Sequence, residues 1–491
     1  MKATLPSTLL LALLLLLSPI TIFSKVLQDR DPDDPIVDIQ FISSSQFTDQ
    51  PSQTFNPTEI PPSKPLINVN SDRRYQTIQG VGATLTESSA WLLRELPQPQ
   101  FLEVLNNLFN TTSGIGINYI RLPITSCDFA LNDWTFDEMF YRQTDPDLSH
   151  FSISHSYSHI LPVLKQIKLI NPDVKIMATP WSAPGWMKNT DTTWGSLGAL
   201  NSSLLLGYYS TYATYLVKVI QAFQQQGINF DTLSIQNAPL LAPNHSDGMI
   251  MLPEEQVLFI NDYLVPEFIK QNITSTKILV YDFDWENADY AFHVLGNLTD
   301  NAKKFVQGTA FHCYRGNVSV QTDLHRQFPE FSIFMSECSN GGWLNDTSDA
   351  LINDMKNVFI GPANNFGEVF LKLNIALDPK FGPQLGPCTN CWPLVTIDLS
   401  HYPKPQITYG ADYYSTAAFS KFVKRGARRI DVKTEDQNLL VTGFLDKEGY
   451  LTVIVANLLE SEYDFVITWG DEWIESTLPA KNVGVYKWNL N

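Results

Sequence analysis

Basic residues are scarce. Lys and Arg number 33 against 51 Asp and Glu, a formal net charge of −18. A chain this acidic repels phosphate backbones, which argues against nucleic acid as a partner. The same balance suits an acidic compartment, where protonation relieves self-repulsion. Long apolar runs are missing beyond the N-terminus: after residue 24, no segment has 18 uninterrupted apolar residues, so nothing downstream reads as a membrane span. Cysteine is rare. The five, Cys127, Cys313, Cys338, Cys388 and Cys391, leave at least one thiol free or paired between chains. Cys388-Thr-Asn-Cys391 has metal spacing but no second pair, so zinc is not expected; a tight local disulfide and two buried thiols both stay open. There is no His-Glu-x-x-His, no Gly-x-Ser-x-Gly and no phosphate-binding loop. Neither a metal nor a cofactor is expected.

What is present begins with residues 1–24, which read as a secretory signal: Lys2, an almost pure Leu/Ala run from Leu9 to Leu17, and Ser24 as a cleavage edge. Seven Asn-x-Ser/Thr sequons follow, at Asn110, Asn201, Asn244, Asn272, Asn297, Asn317 and Asn345. Behind a signal, that number favours a glycosylated secreted or lysosomal protein. At 491 residues the chain is too long for one compact core, and two domains are the default. Its aromatics, 11 Trp, 19 Tyr and 29 Phe, can fill a large barrel.

Residues 26–65 are polar and proline-rich and cannot form a core alone. From Leu66 the pattern alternates, reading as strand that runs through Tyr75–Gly80 into a glycine turn at Gly80-Val-Gly82. The middle alternates strand and helix. Strands are expected at 118–123, 174–180, 232–237, 277–283, 308–314, 332–337 and 368–377, which with the first makes eight. Helices are expected between them, clearest at 204–223, with Tyr212, Leu216, Val219, Ile220 and Phe223 on one stripe. This argues an α/β fold, a (β/α)8 TIM barrel. After Lys424 the helices stop, and 439–444, 451–456, 463–469 and 483–488 alternate with period two, a small antiparallel β domain. The expected organisation is a signal at 1–24, an extended segment and strand at 25–74 that contributes to a β-sandwich, the barrel at 75–425, and the C-terminal sandwich at 426–491.

Chemistry in a barrel sits at the C-terminal ends of its strands. Two ends stand out: Thr232-Leu-Ser-Ile-Gln-Asn237-Ala238-Pro239 and Ser332-Ile-Phe-Met-Ser336-Glu337-Cys338. Retaining glycosidases flank the scissile bond with two carboxylates, a nucleophile and an acid/base. The second strand end supplies Glu337; the first has alanine where Asn-Glu-Pro would complete the pair.

Further strand ends read Gly82-Ala-Thr-Leu-Thr-Glu87, Arg121-Leu-Pro-Ile-Thr-Ser126-Cys127-Asp128-Phe129, Pro180-Trp181-Ser-Ala-Pro184-Gly-Trp186-Met-Lys188 and His312-Cys313-Tyr314. From about Tyr75 through Phe422 the series resembles glycoside hydrolase family 30, and within it the glucosylceramidases. The resemblance implies a barrel with a side β-sandwich built from both termini, and hydrolysis of β-linked glucose with retention. Its substrate would be glucosylceramide or another β-glucoside, with a transient membrane-surface contact. Carried over by residue, it implies that Glu337 is the nucleophile and Ala238 occupies the acid/base position. Asn237 would hydrogen-bond the sugar 2-hydroxyl. Arg121 and Trp181 would organise and line the sugar pocket, with His312 and Tyr314 at its nucleophile side. Glu87 would face outer glucose hydroxyls, and Asn390 would project from the last barrel loop.

Three departures stand against the family pattern: Ala238 for the acid/base glutamate, Leu373 where many members have tryptophan, and Cys313 for the aromatic between His312 and Tyr314. Asp282 and Asp284, at the end of the fifth strand, are the candidates for a substitute acid, set against a plain role in binding rim amides. The Leu377–Cys391 stretch resembles microbial members of the family more than the animal lysosomal enzyme, which sets it against a ceramide aglycone. Two other functions stay open: a non-catalytic glycoside- or glycolipid-binding pseudoenzyme, and an endo-β-glucanase of the same family.

Overall fold

The computed structural model describes residues 35–57, 64–401 and 403–490; the expected signal at 1–24 lies outside them. Eight parallel strands close into a barrel in chain order: β1 Gly80–Thr84, β2 Tyr119–Pro123, β3 Lys175–Thr179, β4 Thr232–Ser234, β5 Lys277–Asp284, β6 Val306–His312, β7 Ser332–Glu337 and β8 Gly367–Lys372. Alternation along each strand sends one set of side chains inward and the other against the helices. Tyr119, Met177, Leu279, Ala310, Phe334, Val369 and Leu371 fill the interior as one buried cluster. Tyr119 meets Phe334 edge-on across it, with centroids 5.8 Å apart. The intervening residues, such as Ile120, Leu122 and Ile176, join the outer core under the helices. The clearest helix is Tyr209–Gln225, burying Tyr212, Leu216, Val219, Ile220 and Phe223 as its periodicity requires. Its start is later than expected because 206–208 form a 3-10 turn and Leu205 is exposed.

The first barrel strand corrects the sequence reading. The expected strand through Tyr75–Gly80 and the glycine turn after it are instead the end of a long sandwich strand, Leu66–Thr77, followed by β1 itself. The glycines serve close packing. A Cβ on Gly82 would strike the Tyr119 carbonyl, and one on Gly80 would lie 2.6 Å from the Tyr119 ring. The expected strand 232–237 stops at Ser234. The expected strand 368–377 stops at Lys372, and Ala376–Leu377 pairs instead in a small sheet with Val395–Asp398.

The second layer is a nine-stranded sheet that draws Ile36–Ile42, Phe47–Thr54 and Leu66–Thr77 from the N-terminal side and six strands from Arg428 onward. It folds on itself into a sandwich: Phe465 and Tyr486, from strands apart in the sheet order, meet at 6.0 Å over a shared core. The hairpin at 36–54 was not expected from its polar composition. Val37 and Ile39 on alternate positions bury against Val483–Asn489, and the sheet supplies the core that the segment lacks alone. The domain is also not wholly antiparallel, because Leu66–Thr77 runs parallel to Tyr463–Trp469. No helix among the described residues is long and apolar enough to cross a membrane.

Candidate active site

Arg121 lies two residues beyond Tyr119 on β2, so alternation turns it into the barrel interior, one layer above the apolar plug. It is fully buried and reaches three acceptors at three other strand ends. Nη1 pairs with Glu337 Oε2, and Nη2 donates to Asn237 Oδ1 at 2.6 Å and to Asp282 Oδ2 at 3.0 Å. Burial alone would lower the guanidinium pKa, but Asp282 and Glu337 reverse this and raise it, so the charge is fixed.

Asp282 comes inward through a backbone irregularity. Leu279 is in the interior, so strict alternation would send Tyr281 there and Asp282 outward. The pairing of β5 with β6 slips between Tyr281 and Phe283, and both Tyr281 (φ 70°) and Asp282 (φ 75°) take left-handed conformations. Asp282 then accepts from Ser234 Oγ at 2.8 Å and Ser336 Oγ at 2.6 Å, and lies 3.2 Å from His312 Nε2. Burial pushes its carboxyl up, but Arg121, His312 and Ser336 outweigh this and hold it far below the usual carboxylate range. It is an anchored anion and no proton donor. Asp284 accepts from the Tyr314 N–H at 3.1 Å. Neither carboxyl lines the cavity, so the structure does not support either as the substitute acid.

Glu337 closes β7, where a register shift pairs it with His312. Besides Arg121, its carboxylate takes the Tyr314 hydroxyl at 3.2 Å and faces His312 Nδ1 at 3.8 Å. Burial would lower the His312 pKa, but Glu337 and Asp282 raise it. His312 is therefore both a buried, satisfied histidine and a wall of the site. Trp181, nearly buried, lies under the Arg121 guanidinium, 4.7 Å from Cζ to the ring centroid.

Above these groups opens a cavity of about 390 Å3, lined at its base by Asn237, Ala238, His312, Tyr314 and Glu337, with Leu373, Asn390 and Trp343 higher up. A smaller adjoining pocket brings in Trp181 and shares Asp128, Asn237, Ala238 and Leu241 with it. Seven of the nine expected site residues thus line these pockets. Arg121 lies beneath the floor, joined to it through Asn237 and Glu337, and Glu87 is not brought to the site. Both Glu87 oxygens are engaged elsewhere: Oε1 with His155 Nε2 at 2.5 Å, Oε2 with Trp134 Nε1 at 2.9 Å and the Leu131 N–H at 3.1 Å. Burial raises its carboxyl, but these partners prevail and lower it. It is an ionised strut for the loop after β2.

Three features escaped the sequence reading. Asp128, inside the quoted Ser-Cys-Asp-Phe stretch, lines both pockets, and burial followed by the charge of Glu337 pushes its carboxyl up to about 7. Trp343 is half-exposed at the rim, its ring set against Gly341. The cysteines resolve into two bridges, Cys388–Cys391 at the rim and Cys313–Cys338 beside the nucleophile strand, with Cys127 a buried free thiol. Spacing alone could not pair Cys313 with Cys338, because the register of β6 against β7 brings them together.

A carboxylate between a fixed guanidinium and a tyrosine hydroxyl, at the floor of a pocket with amide, carboxyl and indole walls, can attack an anomeric carbon; the alanine beside it cannot pass a proton. Comparison with known proteins bears on the family. The model of the glycosyl hydrolase family 30 TIM-barrel domain matches residues 78–423, and that of the family's beta sandwich domain matches 426–483. An endo-1,6-beta-D-glucanase of Neurospora crassa is 32% identical over 372 residues, 74% of each chain. A putative glucosylceramidase of Caenorhabditis elegans is 28% identical over 82% of this chain and 78% of its own, and the lysosomal acid glucosylceramidase of Mus musculus 25% identical over 86% and 83%. The solved endo-beta1,6-glucanase BT3312 superimposes with a TM-score of 0.81 at 30% identity, covering 93% of this chain and 99% of its own. Barrel, sandwich and pocket therefore carry one conclusion: the chain belongs to glycosyl hydrolase family 30.

Proposed function

We propose that the pocket binds a β-linked glucose and that Glu337 attacks its anomeric carbon, as in a retaining β-glucosidase of the glucosylceramidase type, with the acid/base step impaired at Ala238. The observation that carries this reading is the three-way hold on Glu337: Arg121 on one oxygen, with Tyr314 and His312 facing the other. Asn237, fixed by Arg121 at 2.6 Å, is placed for the 2-hydroxyl, and Trp181, Asn390 and Tyr314 surround the ring. Alanine in place of a positioned acid/base removes roughly 10²–10⁴-fold of rate. The protein then favours glucosides whose aglycones leave without a proton, or binds without turning over.

Two substrates are set against each other. A glycolipid headgroup fits the glucosylceramidase relatives, and a β-1,6-glucan fits the endo-glucanase relatives. The open rim between Leu241 and Trp343 favours the second, because an exposed indole offers a face for a further sugar ring. The pseudoenzyme reading keeps the pocket and drops the chemistry. Secretion or lysosomal residence is part of the proposal. Of the seven sequon asparagines, six are exposed and Asn110 is half-buried, so oligosaccharide transferase products would find room. Calorimetric titration with a glucose-shaped imine tests the pocket: binding that weakens in Trp181→Ala supports the reading, and no binding to any glucoside or analogue overturns it.

A further inference from the structure

The Cys313–Cys338 bridge stands where the chemistry is proposed to occur. Cys313 sits between His312 and Tyr314, the two side chains that face Glu337 Oε1 at 3.8 and 3.2 Å. Cys338 follows Glu337 directly. The bridge joins the C-terminal ends of adjacent strands β6 and β7, Cα to Cα 5.4 Å, and the Cys313 N–H donates to the Glu337 carbonyl at 3.3 Å. Past Cys313 the chain leaves the barrel: Tyr314 through Asn317 are exposed, tied back by the Tyr314 N–H on Asp284 at 3.1 Å and by the Glu286 N–H on the Arg315 carbonyl at 3.1 Å. On the other side, the segment after Cys338 is zipped to the second bridge, the Gly342 N–H donating to the Asn390 carbonyl at 3.0 Å and the Trp392 N–H to Asn340 at 2.8 Å. Without the covalent link, only hydrogen bonds would hold Tyr314 at the root of this exposed stretch.

We infer that the Cys313–Cys338 disulfide is a positioning element that holds Tyr314, and with it the carboxylate of Glu337, in the geometry of attack. It touches neither the sugar nor the reacting atoms. It acts by removing the freedom of the two strand ends that carry them. This rests on the reading of Glu337 as the nucleophile. A misplacement of about 1 Å in such a site costs on the order of 10²-fold in rate. Sugar binding depends less on that geometry, because Arg121, Asn237 and Trp181 are mounted on β2 and on the segments after β3 and β4, away from the bridge. The bridge further makes the rate sensitive to reduction, in keeping with an oxidising compartment.

The test compares the wild-type chain with the Cys313→Ser, Cys338→Ser double variant. Sites able to bind are first counted by titration with the glucose-shaped imine. Covalent glucosyl-protein is then followed by intact mass spectrometry after mixing with 2,4-dinitrophenyl β-glucoside, and its rate is expressed per competent site. The expected result is a rate tenfold or more slower, with the half-saturating glucoside concentration changed less than threefold. If the variant folds poorly, the same rate is read on intact protein treated with a water-soluble phosphine. The phosphine takes oxygen from water as the disulfide becomes two thiols, and peptide mapping identifies the opened bridge. There the loss must reverse on reoxidation. An unchanged rate overturns the inference, as does a rate that falls only in step with the count of binding sites. A wild-type chain that binds the imine but forms no adduct overturns the nucleophile reading, and the inference with it.

Discussion

Ala238 donates its backbone N–H to the carbonyl of Asp282 at 3.0 Å while holding a φ of 45°. The backbone at the acid/base position is thus pinned to β5 in a left-handed conformation, although the residue has no functional group. The main chain keeps a course that a longer side chain could use, with the cavity beside it. Ala238→Glu is therefore expected to raise turnover of unactivated β-glucosides by roughly 10²–10⁴-fold. Release of glucose from an alkyl or oligosaccharide glucoside checks this.

Arg121 is the keystone of the buried charges. Replacing it by methionine would leave Asp282 anionic in the interior with only hydroxyl and imidazole partners. Breaking one side of such a pair costs about 3–5 kcal/mol. Denaturant unfolding of Arg121→Met should show a loss of that size, and imine binding should fall with it because Asn237 and Glu337 lose their common donor.

Stability should peak in mild acid. Burial, reinforced by neighbouring charge, pushes Asp128 up to about 7 and Asp137 up to about 7. Asp247 rises to about 6 by burial. For these groups the folded state binds the proton more tightly than the unfolded chain, so stability falls as pH rises from the ordinary carboxylate range through 6 to 7. Asp282 has the opposite sign: its depressed folded pKa contributes stability that is complete above its unfolded value of 3.8 and is lost as pH falls below it. Thermal unfolding across pH should therefore give the highest midpoint near pH 4–6 and a lower one at pH 8. Asp128→Asn should flatten the alkaline side.

The barrel was legible because its strands are short apolar runs ending in polar residues and its helices carry 3.6-residue stripes. Its starting point was not, because Gly80 and Gly82 read as a turn when their use is to let β1 lie against Tyr119. Glu337, Ala238, Asn237, Trp181, Arg121, His312, Tyr314 and Asn390 could be named through the family resemblance, most from motifs at or just after a strand end, with Arg121 inside β2 and Asn390 in the last loop. What escaped depends on distant partners. Glu87 is diverted to His155 and Trp134; Asp282 turns inward only through a slip in strand register; and Cys313 meets Cys338 only across two strands. The hairpin at 36–54 was hidden because its core lies at the other end of the chain.

N-glycosylation at the seven sequons gives a prediction independent of the chemistry. Chain expressed through a eukaryotic secretory pathway should lose apparent mass on treatment with an endoglycosidase. Cytosolic residence with no mass shift would contradict the proposed localisation.

Intact mass spectrometry after mixing the protein with 2,4-dinitrophenyl β-glucoside decides whether Glu337 is a working nucleophile beside a missing acid/base. The aglycone leaves without a proton, so one glucosyl residue should accumulate on the chain, because no base activates water to release it. Azide, entering the space beside Ala238, should discharge it as the β-glucosyl azide, and Glu337→Gln should carry no adduct. Absence of any adduct, with azide without effect and Ala238→Glu still inactive, would rule out a nucleophilic Glu337 and leave a sugar-binding pocket without chemistry.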